Sequence, residues 1–390
     1  MPYLSYSRDA LKLTMSLSST KRLVSLDAFR GLAMVIVALS YFGGHLPEFV
    51  PGLTHADWHG LTFLDLWFPF FIFVAGAAVS LSIPRRLEVG HSRKRVMVRV
   101  VKRATLLFAL GLLLSTLPLS SFDLGSFRIM GVLQRIALVI LFTSAIFLAS
   151  GPRRTIPWAI VLLLVWWALM QVGGGSYDKT SNFASYVDRT ILDGHIYTYT
   201  KDWGDPEGIV GTLTATSTAL FGAAAGWTLR KEGDRAVPKL VITGLAGLAL
   251  GLLLNPIVPI NKNLWTATFT ILTAGLSAFL LGFIHVACLK GVDRLFDPLA
   301  VLGRNSLFSY VIIVVLSAAY WDIQILGPNG PIPIYLFIVD ILLGPLSPFW
   351  GSLVFATFHI LLVYLVARIL KSRESLLKVL SGRILMRKDR

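Results

Sequence analysis

Apolar stretches of about 20 residues recur along almost the whole chain, and this is the length that an α-helix needs to cross the core of a bilayer. They fall at about 24–42, 62–83, 104–118, 129–150, 155–172, 208–229, 239–256, 265–289, 299–320 and 349–370. Only 15% of the 390 residues are charged, against about 25% in a soluble chain. The sequence therefore predicts an all-α, polytopic membrane helix bundle with about ten transmembrane helices. It excludes a soluble globular enzyme, a disordered chain and a β-barrel, whose strands would alternate with period two.

Lysine and arginine lie mostly on one side of this predicted topology. With the N-terminus inside, the inner segments hold 29 of the 36 Lys and Arg residues and the outer segments hold five. Cytoplasmic loops of membrane proteins collect such residues, so both termini are predicted to be cytoplasmic. The net charge of +15 is then a sign of topology, and no nucleic-acid partner is expected. The run 332–343 is too short to span and contains Asp340, which predicts an interfacial or re-entrant piece.

Metal and disulfide chemistry find little support in the sequence. The single cysteine, Cys288, excludes an intramolecular disulfide and a cysteine-based zinc site. His55 and His59 have the spacing of a zinc-binding helix motif, but Ala56 stands where that motif has glutamate. We therefore expect no metal.

The outer loop 43–61 carries the strongest chemical candidate. His55 precedes the second predicted span, with Asp57 and Trp58 beside it. Histidine is the side chain suited to moving protons near neutral pH.

Of the ionisable residues inside predicted spans, where a charge is costly unless it is paired, two are the strongest candidates for a site. Asp65 lies in the second span, and Arg135 lies roughly 10 Å inside the fourth. They are predicted to pair with each other. Pro69 is predicted to break or kink the second span.

Three further polar segments lie at predicted membrane edges. Asp27 and Arg30 are three residues apart at the inner end of the first span, so they can pair on one helix face. The segment 205–208 has the pattern of a helix N-terminus, with Asp205 as cap. The segment 259–265 offers hydrogen-bond donors for a sugar.

Six motifs, taken in order, resemble the heparan-α-glucosaminide N-acetyltransferase family. They are SLDAFRG at 25–31, HADWHGLTFLDLWFPFFIFVAG at 55–76, GVLQR at 131–135, DPEG at 205–208, INKNLW at 260–265 and GRNSL at 303–307. The resemblance implies transfer of acetyl from cytosolic acetyl-CoA to a terminal glucosamine amine on the far side of the membrane. The active-site histidine of the family matches His55. Ser40 stands where the family has an asparagine that assists catalysis.

Together, the residues and the resemblance define a set of predicted roles. The transmembrane acyltransferase domain is predicted over 21–370, between an N-terminal tail, 1–20, and a basic cytoplasmic tail, 371–390. The predicted catalytic residues are His55, Ser40 and Asp65. The predicted acceptor-binding residues are Asp57, Trp58, Asp205, Glu207, Asn261, Lys262 and Asn263. The predicted acetyl-CoA-binding residues are Asp27, Arg30, Gln134, Arg135 and Asn305.

The sequence leaves the mechanism and some alternatives open. His55 can act as general base for direct attack by the amine, or it can first take the acetyl group itself. A transporter of an amino sugar or lipid-linked sugar fits the intramembrane charges as well, and so does an O-acyltransferase acting on a cell-surface glycan. The expected partners are acetyl-CoA, an amino-sugar acceptor and membrane lipids, with a homodimer as one option. The expected location is a bacterial cytoplasmic membrane.

Overall fold

The computed structural model describes residues 23–50, 52–327 and 330–372. The predicted tail 1–20 lies outside them, as does the basic tail from residue 373 onward. The α-helices are Val24–Phe42 (α1), Leu46–Phe49 (α2), Trp67–Glu88 (α3), Arg93–Leu114 (α4), Val132–Ser150 (α5), Thr155–Val172 (α6), Phe183–Leu192 (α7), Gly211–Glu232 (α8), Val237–Leu254 (α9), Ala267–Ala287 (α10), Asp293–Arg304 (α11), Ser306–Asp322 (α12), Ile334–Leu336 (α13) and Pro348–Ser372 (α14).

Short 3₁₀ and π segments and one antiparallel hairpin complete the fold. The 3₁₀ turns are Phe63–Leu66, Leu119–Ser121, Pro152–Arg154, Thr198–Thr200, Gly233–Ala236 and Gly344–Leu346, and the π segments are Cys288–Val292 and Phe337–Leu342. The hairpin pairs β1 (Gln324–Gly327) with β2 (Gly330–Pro333). The fold is therefore predominantly helical, as predicted, with one small two-stranded addition.

A helix lies at each of the ten predicted spans. Within the described residues, seven helical segments are long and apolar enough to cross a membrane. They are Val24–Phe42, Phe63–Glu88, Val132–Ser150, Pro152–Val172, Gly211–Leu254, Ala267–Arg304 and Pro348–Leu370. The segment Gly211–Leu254 contains two predicted spans, α4 begins with basic residues, and α12 has only 17 residues. The chain is thus an integral membrane protein, while the count of ten spans and the cytoplasmic termini stay predictions.

The bundle is held together where small residues let helices approach closely, as is common between membrane helices. A Cβ atom on Gly31 of α1 would overlap the carbonyl oxygen of Leu299 in α11, and one on Gly76 of α3 would overlap that of Ala219 in α8. Fully buried aromatic side chains such as Phe29 fill the space between these pairs.

Several local predictions are corrected by the structure. Pro69 does not break its helix: it lies in the first turn of α3, where its missing N–H has no partner to lose. Asp205 does not cap a helix, because α8 begins only at Gly211 with Val210 as its N-cap residue. The run 332–343 forms the end of β2, α13 and a π segment. Its interfacial position stays a prediction.

Candidate active site

The loop that precedes α3 brings His55 onto a buried carboxylate. Asp65 lies in the 3₁₀ turn Phe63–Leu66, and its side chain is 1% exposed. Its Oδ1 lies 2.8 Å from His55 Nδ1. Its Oδ2 accepts hydrogen bonds from Thr62 N at 3.0 Å, Thr62 Oγ1 at 2.9 Å and Ala56 N at 3.2 Å. Thr62 and Asp65 form a reciprocal capping box, so the local sequence fixes the carboxylate that orients the histidine.

The contact with Asp65 leaves the second ring nitrogen of His55, Nε2, available for chemistry. A carboxylate only accepts hydrogen bonds, so His55 Nδ1 carries the hydrogen and Nε2 keeps its lone pair. The His55 side chain is 45% exposed. An exposed imidazole held by a buried carboxylate is the arrangement of a general base or a nucleophile.

Lys262 approaches the same pair from a loop 207 residues away in sequence. Its Nζ lies 3.3 Å from Asp65 Oδ1, and 3.0 Å and 3.5 Å from His55 Nδ1 and Nε2. If Nζ lay in the ring plane, in line with the lone pair of one ring nitrogen, it would be much farther from the second ring nitrogen. The two similar distances therefore place the amine over the face of the ring. Burial lowers the pKa of Lys262, although the charges of Asp65 and Glu207 oppose that shift.

Asn261 ties the Lys262 loop to the His55 loop. Its buried side-chain amide donates to Trp58 O at 2.7 Å and accepts from Leu264 N at 2.8 Å. Gly60 N adds a hydrogen bond of 2.7 Å to Ile260 O. Both ends of the Asn261 amide are thus engaged in holding the loops.

A second charged cluster joins the long loop 173–207 to the segment before α5. Arg128 binds Asp205 through Nε at 2.8 Å and Nη2 at 2.5 Å, and it also binds Glu207. Its guanidinium lies 4.6 Å from the centre of the Tyr197 ring. Burial alone would lower the pKa of Arg128, but the two carboxylates raise it above its ordinary value. Sequence reasoning missed Arg128, because no local pattern connects it to partners 77 and 79 residues away.

Asp188 of α7 fixes the backbone of this cluster. Its two carboxylate oxygens accept from Asp205 N at 3.2 Å and Ile209 N at 2.9 Å. Burial raises the pKa of Asp188 to about 6, against the lowering effect of these two hydrogen bonds. Glu207 between them is buried, yet the charges of Arg128 and Arg135 lower its pKa.

The predicted ion pair between Asp65 and Arg135 is wrong. The fully buried Arg135 donates through Nη2 to Gly208 O at 3.0 Å, and its guanidinium lies 5.0 Å from the centre of the Trp265 ring. Asp65 is instead bound by His55 and Lys262. Charge complementarity identified two buried ions correctly but paired them with each other. The neighbouring Gln134 bonds Ser115 Oγ at 3.3 Å between α5 and α4.

The other predicted acetyl-CoA-binding residues lie around the N-terminal end of α1, away from His55. Asp27 and Arg30 form the predicted pair at 3.5 Å, and Arg30 Nη1 donates to Gly303 O at 3.4 Å. Asn305 donates to Ala367 O at 3.0 Å. Because α1 has 19 residues, this end lies about 28 Å from the His55 end. The predicted set is therefore divided between the two ends of the bundle.

The remaining predicted residues lie around the His55 loop, and their side chains differ in how far they are exposed to solvent. Asp57 is exposed, while Trp58 and Asn263 are half-buried. Trp58 packs edge-on against Trp203 at 4.9 Å and donates to Tyr177 O at 2.8 Å. Ser40 is half-buried near the end of α1, and its assisting role stays a prediction. Within the described part of the chain, no group of three or more His, Cys, Asp or Glu side chains is arranged to hold a metal ion.

The chain is similar to known acetyltransferases. The family model described as "Heparan-alpha-glucosaminide N-acetyltransferase, catalytic" matches residues 22–190. Heparan-alpha-glucosaminide N-acetyltransferase from Homo sapiens is 29% identical over 351 residues, which cover 74% of this chain and 52% of the human protein. The protein of the same name from Mus musculus is 29% identical over 357 residues, covering 75% and 53%.

The chain is similar to the heparan-α-glucosaminide N-acetyltransferases. The family resemblance predicted from the six motifs is confirmed. The chain spans about half the length of the curated relatives that it matches. The family match contains His55, Asp65 and Arg128 but ends before Glu207 and Lys262.

Proposed function

We propose that this protein is a membrane N-acetyltransferase that moves acetyl from acetyl-CoA to the amine of a glucosamine-type acceptor. The observation that carries the proposal is the exposed His55 imidazole bound to the buried Asp65 carboxylate at 2.8 Å. The similarity to acetyltransferases named for glucosaminide supports the acceptor class. Acetyl-CoA is the co-substrate, and no metal is part of the proposal.

His55 supplies the proton chemistry in this proposal. In direct transfer, Nε2 takes a proton from the acceptor amine as nitrogen attacks the thioester carbonyl, and the C–S bond breaks to release CoA. In the two-step alternative, Nε2 attacks the thioester and the C–S bond breaks to release CoA. The acceptor amine then attacks the acetyl group, the bond to Nε2 breaks, and the amine proton passes to Nε2 or to solvent. Asp65 stabilises the positive charge that develops on the ring in both routes.

The outer surface around His55 offers contacts for a sugar. Trp58 presents an aromatic ring beside the loop, and Asp57 adds an exposed carboxylate that attracts a cationic amine. Asn263 lies on the neighbouring loop and keeps a partly exposed amide. We assign acceptor binding to these three side chains, while Asn261 and Asp205 support the loops that carry them.

Acetyl-CoA is proposed to enter from the basic, cytoplasmic side, where Asp27, Arg30 and Asn305 meet. The excess of Lys and Arg in the predicted inner segments supports this orientation. Phosphate groups are bound well by arginine. A location in a cytoplasmic membrane follows from the use of a donor that is made in the cytoplasm.

The test uses the purified full-length protein in detergent with labelled acetyl-CoA and glucosamine. We expect N-acetylglucosamine from the wild type, and a loss of more than about tenfold in His55→Ala. His59→Ala is the matched control, because it makes the same change in an exposed histidine of the same loop. No product from a folded wild type would contradict the proposal. Sealed proteoliposomes that accumulate unmodified glucosamine would favour a transporter instead.

A further inference from the structure

Lys262 places a primary amine inside the proposed catalytic centre. The acceptor of the proposed reaction is also a primary amine, so Lys262 and the acceptor belong to the same class of nucleophile. The Lys262 side chain is 13% exposed, and its Nζ lies 3.5 Å from Nε2 of His55. The atom that Nζ would attack is the carbonyl carbon bonded to Nε2, one covalent bond beyond the nitrogen at 3.5 Å. Reacting atoms must come within about 3–3.5 Å of each other, and rotation of the flexible lysine stem brings the amine toward an acyl group held at Nε2.

The direction of approach is also suitable. An acyl group bonded to an imidazole nitrogen lies in the plane of the ring, because the two π-systems conjugate. A nucleophile must then reach the carbonyl carbon from above or below that plane. Lys262 Nζ lies over the ring face, as its similar distances to the two ring nitrogens require. No other lysine amine makes a recorded contact with His55 within the described part of the chain.

The charges around Lys262 determine how readily its amine loses a proton. Burial lowers its pKa, as does the positive charge of Arg135, while Asp65 and Glu207 raise it. The net shift is downward, which increases the fraction of neutral, nucleophilic amine. His55 is the remaining ionisable contact.

We propose that Lys262 is a self-acetylation site, modified when acetyl-CoA is bound and no acceptor amine is present. This inference rests on the proposed function. His55 Nε2 first takes the acetyl group as the bond from the carbonyl carbon to the CoA sulfur breaks. The carbonyl carbon then forms a bond to Lys262 Nζ as its bond to Nε2 breaks, and the lysine proton passes to the CoA thiolate or to solvent. The products are acetyl-lysine and CoA, and no other reactant is needed.

Acetylation of Lys262 would slow the enzyme. The amide carries no charge, so Asp65 loses a cationic partner at 3.3 Å. The added acetyl group also occupies space over the face of His55. An acceptor amine consumes the acetyl group first, so the modification accumulates only when the acceptor is scarce.

The experiment follows acetylation of individual lysines by mass spectrometry. Purified full-length protein is incubated with isotopically labelled acetyl-CoA, without and with glucosamine. Lys179 is the internal control, because it lies exposed in an outer loop and reports non-enzymatic acetylation. Glucosamine turnover is measured in the same preparation.

We expect Lys262 to be labelled at least about tenfold faster than Lys179. Glucosamine and the His55→Ala substitution should each reduce this rate to that of Lys179. Wild-type protein preincubated with acetyl-CoA should lose turnover progressively. Lys262→Arg, whatever its starting turnover, should show no such progressive loss during preincubation, because arginine retains the charge without a nucleophilic amine.

Three results would overturn the inference. If Lys262 is labelled no faster than Lys179 while glucosamine is acetylated, self-acetylation is refuted and the proposed function stands. If neither glucosamine nor Lys262 is labelled, both fail. Labelling of Lys262 that persists in His55→Ala would also refute the inference, because acetylation of Lys262 would then not depend on His55.

Discussion

Replacing Asp65 by asparagine changes the chemistry of the centre while keeping its shape. Three donors, Thr62 N, Thr62 Oγ1 and Ala56 N, converge on Asp65 Oδ2 within 3.2 Å. In Asp65→Asn these donors select the amide oxygen for that position. The amide nitrogen must then occupy the Oδ1 position, 2.8 Å from His55 Nδ1 and 3.3 Å from Lys262 Nζ.

This amide nitrogen donates a hydrogen bond to His55 Nδ1, at the position where the carboxylate oxygen accepted one. His55 Nδ1 must therefore accept, and the ring hydrogen moves to Nε2, which loses the lone pair that the reaction needs. The same tautomer change in a Ser-His-Asp triad lowers kcat by about 10⁴. We expect kcat/KM of acetyl transfer to fall by about 10³–10⁴, or roughly 4–5.5 kcal/mol.

The assay compares initial rates of glucosamine acetylation with thermal unfolding in detergent. The capping interactions of residue 65 persist in Asp65→Asn, so the protein should still fold. Asp178→Asn is the matched control, because it makes the same change at an exposed carboxylate that lies outside the His55 contacts described above. If Asp65→Asn keeps more than about a tenth of the wild-type kcat/KM, the carboxylate does not set the tautomer of His55 and the reasoning is refuted.

Two further predictions concern the second charged cluster. Arg128→Ala leaves Asp205 and Glu207 buried without their cation, so it should destabilise the protein by about 3–5 kcal/mol. Adding Glu207→Gln should recover part of this loss in thermal unfolding. Strictly additive losses in the double variant would contradict the coupling of the two side chains. Because burial raises the pKa of Asp188 to about 6, the stability due to its proton is complete below about pH 4 and should fall by roughly 3 kcal/mol as pH rises from there through 6. Asp188→Asn should remove this fall, and equal slopes in both proteins would refute it.

The helices could be predicted because a membrane span imposes a length and a composition. The predicted span 155–172 coincides with α6, Thr155–Val172. The predicted ends of helices were wrong where tertiary contacts decide where a helix begins. The segment 205–208 has a good capping pattern, but Arg128 and Asp188 hold it outside the helix, and α8 starts later. The hairpin of β1 and β2 had no apolar signature of a span and was missed.

The candidate site was only partly readable in the sequence. Thr62 and Asp65 have the spacing of a capping box, so the position of that carboxylate had a local signal. Its partners did not, because Lys262 comes from a loop more than 200 residues away. Sequence reasoning paired Asp65 with Arg135 on charge alone, whereas packing places Arg135 against Trp265 and Gly208.

The most direct test of the central claim is the sidedness of acetyl transfer. Full-length protein in sealed, right-side-out vesicles is supplied with acetyl-CoA trapped inside and glucosamine outside. Acetyl-CoA is a polyanion that does not cross a bilayer unaided, so we predict N-acetylglucosamine outside with the wild type and none with His55→Ala. Acetyl-CoA supplied only outside should give almost no product. Equal product with acetyl-CoA on either side of intact vesicles would contradict both the predicted orientation and transfer across the membrane.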